Sequence, residues 1–93
     1  MIIGVLQAQL LLRESRSLKD KRRVIKSLKD RLAYRFNISI AEVGANESCQ
    51  QAILGVAMVS NEHDYVQSVL NKVVSFMQND PRAELVEYEI DFL

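Results

Sequence analysis

Residues 37–60, NISIAEVGANESCQQAILGVAMVS, lie in the middle of a chain of 93 residues and contain two segments with the pattern of a strand. NISIAEV (37–43) and QQAILGVAMVS (50–60) are rich in apolar and β-branched residues, which is typical of strands. The polar GANES segment (44–48) between them favours a turn. The stretch therefore predicts a β-hairpin, and the segments on either side of it decide the rest of the architecture.

A helix is predicted immediately before this hairpin. Ser17 precedes a segment with helical periodicity, and Asp20 follows three residues later, close to a capping box, so the helix is expected to begin at Ser17 and to end near Asn37. Its apolar positions fall on one side of the helix at about 100° per residue. They are Leu18, Ile25, Leu28, Leu32 and Phe36.

A second helix is predicted after the hairpin, with Asn61 and Asp64 as its cap signals. The segment NDPR (79–82) ends it, because Pro81 cannot continue a helix and disfavours helical geometry at Asp80. The side chains expected on its buried face are Val66, Val69, Leu70, Val73, Phe76 and Met77.

Strands are predicted at both ends of the chain. Residues 2–12 are mostly apolar, with Gln7 and Gln9 on one face, as expected of a central strand. The segment ELVEYEIDFL (84–93) alternates, with one predicted face formed by Val86, Tyr88, Ile90 and Phe92 and the other by Glu87, Glu89 and Asp91. The order βαββαβ predicts a single α+β domain, 1–93, with the ferredoxin-like fold: an antiparallel sheet with two helices on one face.

Composition is typical of a soluble globular protein, since 48% of the residues are hydrophobic and 26% are charged. No apolar run reaches the roughly 18 residues that a membrane-spanning helix requires. A single cysteine, Cys49, cannot form an internal disulfide. We therefore expect a cytoplasmic protein that does not insert into a membrane.

The zero net charge of the chain hides a strong segregation. Residues 13–35 contain ten of the twelve Lys and Arg residues but only three of the twelve acidic residues, so this segment has a charge of +7 and the remainder has −7. Such a distribution produces a local positive field although the total charge is zero.

The cations of the first helix form a separate side of it. With Leu18 at zero on a helical wheel, the apolar side centres near 310°, and the side between about 20° and 140° carries Lys19, Arg22, Arg23, Lys26 and Lys29. A charged helix side is most often only exposed to solvent. Two features favour a surface that binds an anion. Basic residues crowd the first turns, where the positive end of the helix dipole prefers acids, and like charges at i,i+3 and i,i+4 repel one another. A bound anion would offset both effects.

These cations predict a surface that binds phosphate groups of RNA, largely independently of base sequence. The predicted nucleic-acid-binding residues are Lys19, Lys21, Arg22, Arg23, Lys26, Lys29 and Arg35. The first and third predicted strands contain no aromatic residue on which bases stack, so RNA is expected on the helix side. The alternative is a structural or interaction module whose basic helix binds an acidic protein partner.

The sequence contains no pattern typical of catalysis. His63 is the only histidine, Cys49 has no histidine beside it, and the three glycines are isolated and form no phosphate-binding loop. Alternating acids at Glu87, Glu89 and Asp91 are typical of a solvent-exposed strand face. We expect no enzyme activity, no cofactor and no metal.

The third strand is apolar on both of its faces. Ile53, Ala57 and Val59 alternate with Leu54, Val56 and Met58. Because the helices cover only one face of the sheet, the other face is expected to expose an apolar patch, which is typical of an interface. This predicts a homodimer through the open sheet face, unless the long side chains of Gln7 and Gln9 shield the patch.

Three segments, SLKDKRRVIKSLKDRL, RFNISIAEVG and LGVAMVSN, resemble the YlxP family of small bacterial proteins of unknown function, and the similarity extends over nearly the whole chain. The resemblance implies a ferredoxin-like fold, no established enzyme activity, and genes often adjacent to those for ribosome maturation and translation initiation. The positions that match are Ser17, Leu18, Lys19, Lys21, Arg22, Arg23, Arg35, Phe36, Asn37 and Glu42. In the hairpin, Cys49 and Gln51 stand where many relatives have an aromatic and a basic residue.

Overall fold

Six elements follow one another in the order that the sequence predicts. The computed structural model describes residues 1–93 and contains β1 (Ile2–Leu11), α1 (Leu18–Arg35), β2 (Ser39–Gly44), β3 (Gln51–Ser60), α2 (His63–Gln78) and β4 (Glu84–Phe92). The four strands form one sheet in the order β2-β3-β1-β4, and every neighbouring pair is antiparallel. The predicted ferredoxin-like fold is confirmed, and β2 and β4 lie at the two edges of the sheet.

The core lies between the sheet and the two helices. Leu6 of β1 pairs with Val56 of β3, and Ala8 pairs with Leu54, so these four side chains share the face that the helices cover. They are buried together with apolar residues of both helices in a cluster of 18 residues. The opposite face of the sheet is open.

The N-terminus of α1 has the predicted cap. The Oγ atom of Ser17 accepts a hydrogen bond from the Asp20 backbone N–H at 3.0 Å, and the Asp20 carboxylate accepts one from the Arg16 N–H at 3.1 Å. The helix ends slightly earlier than predicted, because Phe36 has extended backbone angles of φ −127° and ψ 147°. This turn directs the Phe36 side chain onto the core.

The beginning of α2 differs from the prediction. Its N-cap residue is Glu62, not Asn61, and no side chain caps it. Asp64 lies in the first turn, where its negative charge favours the positive end of the helix dipole. On the buried face, Val74 is buried and Phe76 is only partly covered.

A β-bulge changes the predicted face of β4. Gln9 pairs with Glu87, but Leu10 pairs with Leu85, so Val86 is the additional residue that shifts the alternation. Leu85 therefore faces the helices, and Val86 is 53% exposed instead of joining the apolar face. The predicted placement of Val86 was wrong because the alternation assumed a regular strand.

The open face combines apolar and acidic side chains. Gln7 lies there opposite Gly55 and Glu89, and Asp91 of β4 lies opposite Val5. Val43 and Val59 are each 57% exposed. Neither α1 nor α2 has the length and the hydropathy that crossing a membrane requires.

Candidate functional site

One side of α1 gathers exposed cations, and we call it the basic face. It consists of Lys19, Arg22, Arg23, Lys26 and Lys29, of which the first four are exposed and Lys29 is half-buried at the border of the apolar side. At a rise of about 1.5 Å per residue, these five positions extend over roughly 15 Å of the helix. The predicted cations of this side are therefore brought together on one continuous surface.

The basic face is poorly neutralised by the rest of the chain. Lys26 forms an ion pair with Asp30 at 2.6 Å, and both groups are exposed, so the pair contributes only about 0.3–0.5 kcal/mol. No carboxylate pairs with Lys19, Arg22, Arg23 or Lys29. Four cations remain free to attract an anion.

Lys21 does not belong to this face. It is 1% exposed, and its ammonium group lies 2.8 Å from the Glu42 carboxylate of β2. The prediction that Lys21 contacts nucleic acid therefore has to be corrected, because the protein surrounds the charge. On the helical wheel Lys21 lies near 300°, in the middle of the apolar side, and this position is the sequence signal for its burial.

The Lys21 ammonium is fully hydrogen-bonded by the β2–β3 turn. It donates to the carbonyl oxygens of Ala45 at 2.9 Å, Gln51 at 3.1 Å and Asn46 at 3.4 Å. The Glu42 carboxylate oxygen, at 2.8 Å, is the nearest of these acceptors and supplies the counter-charge of the ammonium group. Lys21 thus connects the first turns of α1 to the hairpin and fixes how the basic face is presented.

Arg35, another predicted nucleic-acid contact, lies on the flank of α1 that faces α2. Its guanidinium group is 5.8 Å from the centre of the Phe76 ring of α2 and 5.9 Å from that of Phe36. Of the seven predicted residues, five form the basic face, Lys21 is buried, and Arg35 lies on a different surface.

A charged cluster near the end of α2 is not evident from the sequence. The Asp80 carboxylate, 3% exposed, accepts hydrogen bonds from the guanidinium groups of Arg31 at 2.8 Å and of Arg82 at 2.8 and 3.0 Å. The hydrogen bonds from the Arg82 side chain are the main reason that the pKa of Asp80 falls from 3.8 to about 2, although burial opposes this shift. In the sequence, the segment NDPR indicated only the end of α2, because Arg31 is distant from it in the chain.

Tyr34 is an exposed aromatic residue of α1 that was not among the predicted binding residues. Its side chain is 95% exposed, and at about 160° on the helical wheel it continues the side that carries Arg23. An exposed aromatic ring beside cations is a group on which an unpaired base can stack.

The groups considered for catalysis are scattered. His63 stacks on Phe92 with ring centres 4.0 Å apart and lies 3.4 Å from the exposed carboxylate of Asp64. Cys49 is a free thiol in the β2–β3 loop. No three His, Cys, Asp or Glu residues are grouped so as to hold a metal ion.

Comparison with known proteins identifies relatives without an assigned activity. Residues 3–90 match the family described as protein of unknown function (DUF503). The chain is 31% identical over 83 residues to the uncharacterized protein YlxP of Bacillus subtilis (strain 168), covering 89% of this chain and 90% of that protein. The de novo designed protein Foldit4 has the same fold, with a TM-score of 0.56 and 11% identity over all of this chain and 97% of the design.

Proposed function

This chain belongs to the family of proteins of unknown function DUF503, and we propose that it is a non-catalytic module that binds RNA through the basic face of α1, with the ribosome as its setting. The observation that carries the proposal is the row of exposed cations of which only Lys26 has an acidic partner. The family resemblance, with its implied gene neighbours in ribosome maturation and translation, supports an RNA context.

The basic face is free for a partner because the fold does not use its side chains. The core of α1 consists of Ile25, Leu28 and Leu32, and the connection to the hairpin uses Lys21. Like charges on adjacent turns repel one another, so a bound polyanion would relieve that repulsion and release counterions from the phosphates.

RNA is favoured on the helix side and not on the open sheet face. That face contains Gln7 and the acids Glu89 and Asp91, and β1 and β3 provide no aromatic ring there. A phosphate backbone is repelled by such a surface, whereas the basic face attracts it.

The test measures RNA binding as a function of salt concentration. For the parent protein, four phosphate contacts predict a slope of log K against log salt of about −3. Replacement of the four exposed cations by glutamine should remove nearly all of the slope and the binding while the circular dichroism spectrum stays unchanged. The four are Lys19, Arg22, Arg23 and Lys26.

A matched control changes the net charge equally on the other helix. It replaces Gln67, Ser68, Asn71 and Gln78 of α2 with Glu, which also lowers the charge by four and should leave most of the binding intact. Equal losses in the two variants would show a response to net charge only and would contradict the proposal. If the parent binds no RNA but the glutamine variant loses a protein partner, the basic face is instead a docking surface for an acidic protein.

We also propose that a second copy of the chain covers the open sheet face. A twofold axis parallel to the strands would place β4 of one copy opposite β2 of the other. The acids of β4 would then face the uncharged Ser39, Ala41 and Val43 and not the acids of the second copy. Sedimentation equilibrium at micromolar concentration should give about twice the chain mass, and Val59→Arg should give a monomer. A parent protein that stays monomeric over this range would refute the dimer.

A further inference from the structure

A cleft opens between the C-terminal halves of α1 and α2, on the flank of α1 away from the basic face. Its volume is about 850 Å³, within the range of about 300–1,000 Å³ that is usual for small-molecule sites. Arg31 and Arg35 of α1 lie about 140–180° around the helix from the middle of the basic face. The cleft is therefore a second surface and not an extension of the first.

The cleft is strongly positive. Arg31, Arg35, Lys72 and Arg82 line it, and Asp80 is its only acid, which leaves three positive charges in excess. Asp80 holds the guanidinium groups of Arg31 and Arg82 in fixed positions, and each remains more than 40% exposed. Neither Arg35 nor Lys72 has an acidic partner. Four cations are thus directed at one space with a single carboxylate that already serves two of them.

Aromatic rings lie beside these cations. The Phe76 ring is 5.3 Å from the Arg31 guanidinium and 5.8 Å from that of Arg35, and the Phe36 ring also lines the cleft. Aromatic rings and guanidinium planes are the groups on which unpaired bases stack in RNA-binding proteins. A ligand that joins a phosphate to a planar base would match both the cations and the aromatic rings of the cleft.

We propose that this cleft binds a nucleoside phosphate, with the phosphate held by Lys72 and the exposed edge of Arg82 and the base stacked on the Arg35 guanidinium, which lies over the Phe76 ring. The source is either a free nucleotide or an unpaired nucleotide of an RNA strand. The inference does not rest on the proposed role of the basic face, because a free nucleotide fits the cleft without any contact to Lys19 or Arg22.

The experiment is a titration followed by amide chemical shifts, with AMP, adenosine, inorganic phosphate and the single-stranded oligonucleotide rA6 as probes. AMP should produce saturable shifts at residues around the cleft, such as Ser75 and Asn79, and adenosine or phosphate alone should bind at least tenfold more weakly. Shifts at the same residues with rA6 but not with AMP would identify the RNA strand as the source and would equally support the site.

Two double variants separate the two surfaces. Arg35→Gln with Lys72→Gln leaves the Asp80 cluster intact and should weaken cleft binding at least tenfold, whereas Arg22→Gln with Arg23→Gln should leave AMP binding unchanged. If neither AMP nor rA6 shifts the cleft residues, the proposal is wrong, and Arg35 there serves only to offset the negative end of the α1 dipole. Salt-dependent RNA binding at the basic face would survive that outcome.

Discussion

The buried Lys21 gives the sharpest test of how the structure holds its binding surface. Replacing Lys21 with Met keeps most of the apolar stem but removes an ammonium group that donates to three carbonyl oxygens. It also leaves the Glu42 carboxylate, whose buried Oε2 atom lies 2.8 Å from that ammonium, without its counter-charge. Removing one partner of a buried pair costs about 3–5 kcal/mol.

That cost is a large fraction of the stability of a small domain, about 5–15 kcal/mol. Urea denaturation followed by circular dichroism measures it. With an m value of about 1–3 kcal/mol per molar urea, the midpoint of Lys21→Met should fall by roughly 1–5 M. Lys19→Met is the matched control, since Lys19 is exposed and the same change there should alter the free energy of unfolding by no more than about 0.5 kcal/mol.

A double variant tests the cause of the loss. Adding Glu42→Gln to Lys21→Met removes the unpaired carboxylate, so the double variant should be more stable than Lys21→Met alone by about 1–3 kcal/mol. If the free energy of unfolding of Lys21→Met lies within 1 kcal/mol of that of the parent protein, or if adding Glu42→Gln restores no stability, the Lys21–Glu42 pair does not stabilise the fold.

Three further outcomes are expected. The pKa of Asp80 is lowered from 3.8 to about 2, so its ionised carboxylate contributes about 2 kcal/mol to the free energy of unfolding above pH 3.8, and this contribution is lost as the pH falls toward 2. Asp80→Asn should therefore flatten the dependence of stability on pH between 3.8 and 2. A variant with the same pH dependence as the parent protein would contradict the Arg82 contact. Ser17→Ala should lower the free energy of unfolding by about 1 kcal/mol in urea titration, because one N–H of α1 loses its cap, and a change near zero would show that water replaces the cap fully. Gly4→Ala should cost about 1–3 kcal/mol in thermal unfolding, since the added Cβ would meet Val66 Cγ1, and a neutral effect would show that α2 can shift.

Much of the candidate site was accessible to sequence reasoning, and the parts that it missed have two different causes. The helical wheel separated Arg22 and Lys26 from the apolar side correctly, because both positions depend only on the period of one helix. The same wheel placed Lys21 among apolar residues, but its charge led to its inclusion in the predicted binding surface. The cleft residues Arg31 and Arg82 are 51 positions apart in the chain, and no periodicity relates them.

Capping and periodicity are local properties of neighbouring residues, so the order βαββαβ, the cap at Ser17 and the solvent-facing side of α1 follow from the sequence. Tertiary structure alone decided that a buried ammonium joins α1 to the β2–β3 turn, that a bulge turns Val86 outward, and that two arginines meet on Asp80. Those features depend on how the helices and strands pack, since an ion pair or a register shift is fixed by the separation of atoms in space and not by their separation in the chain.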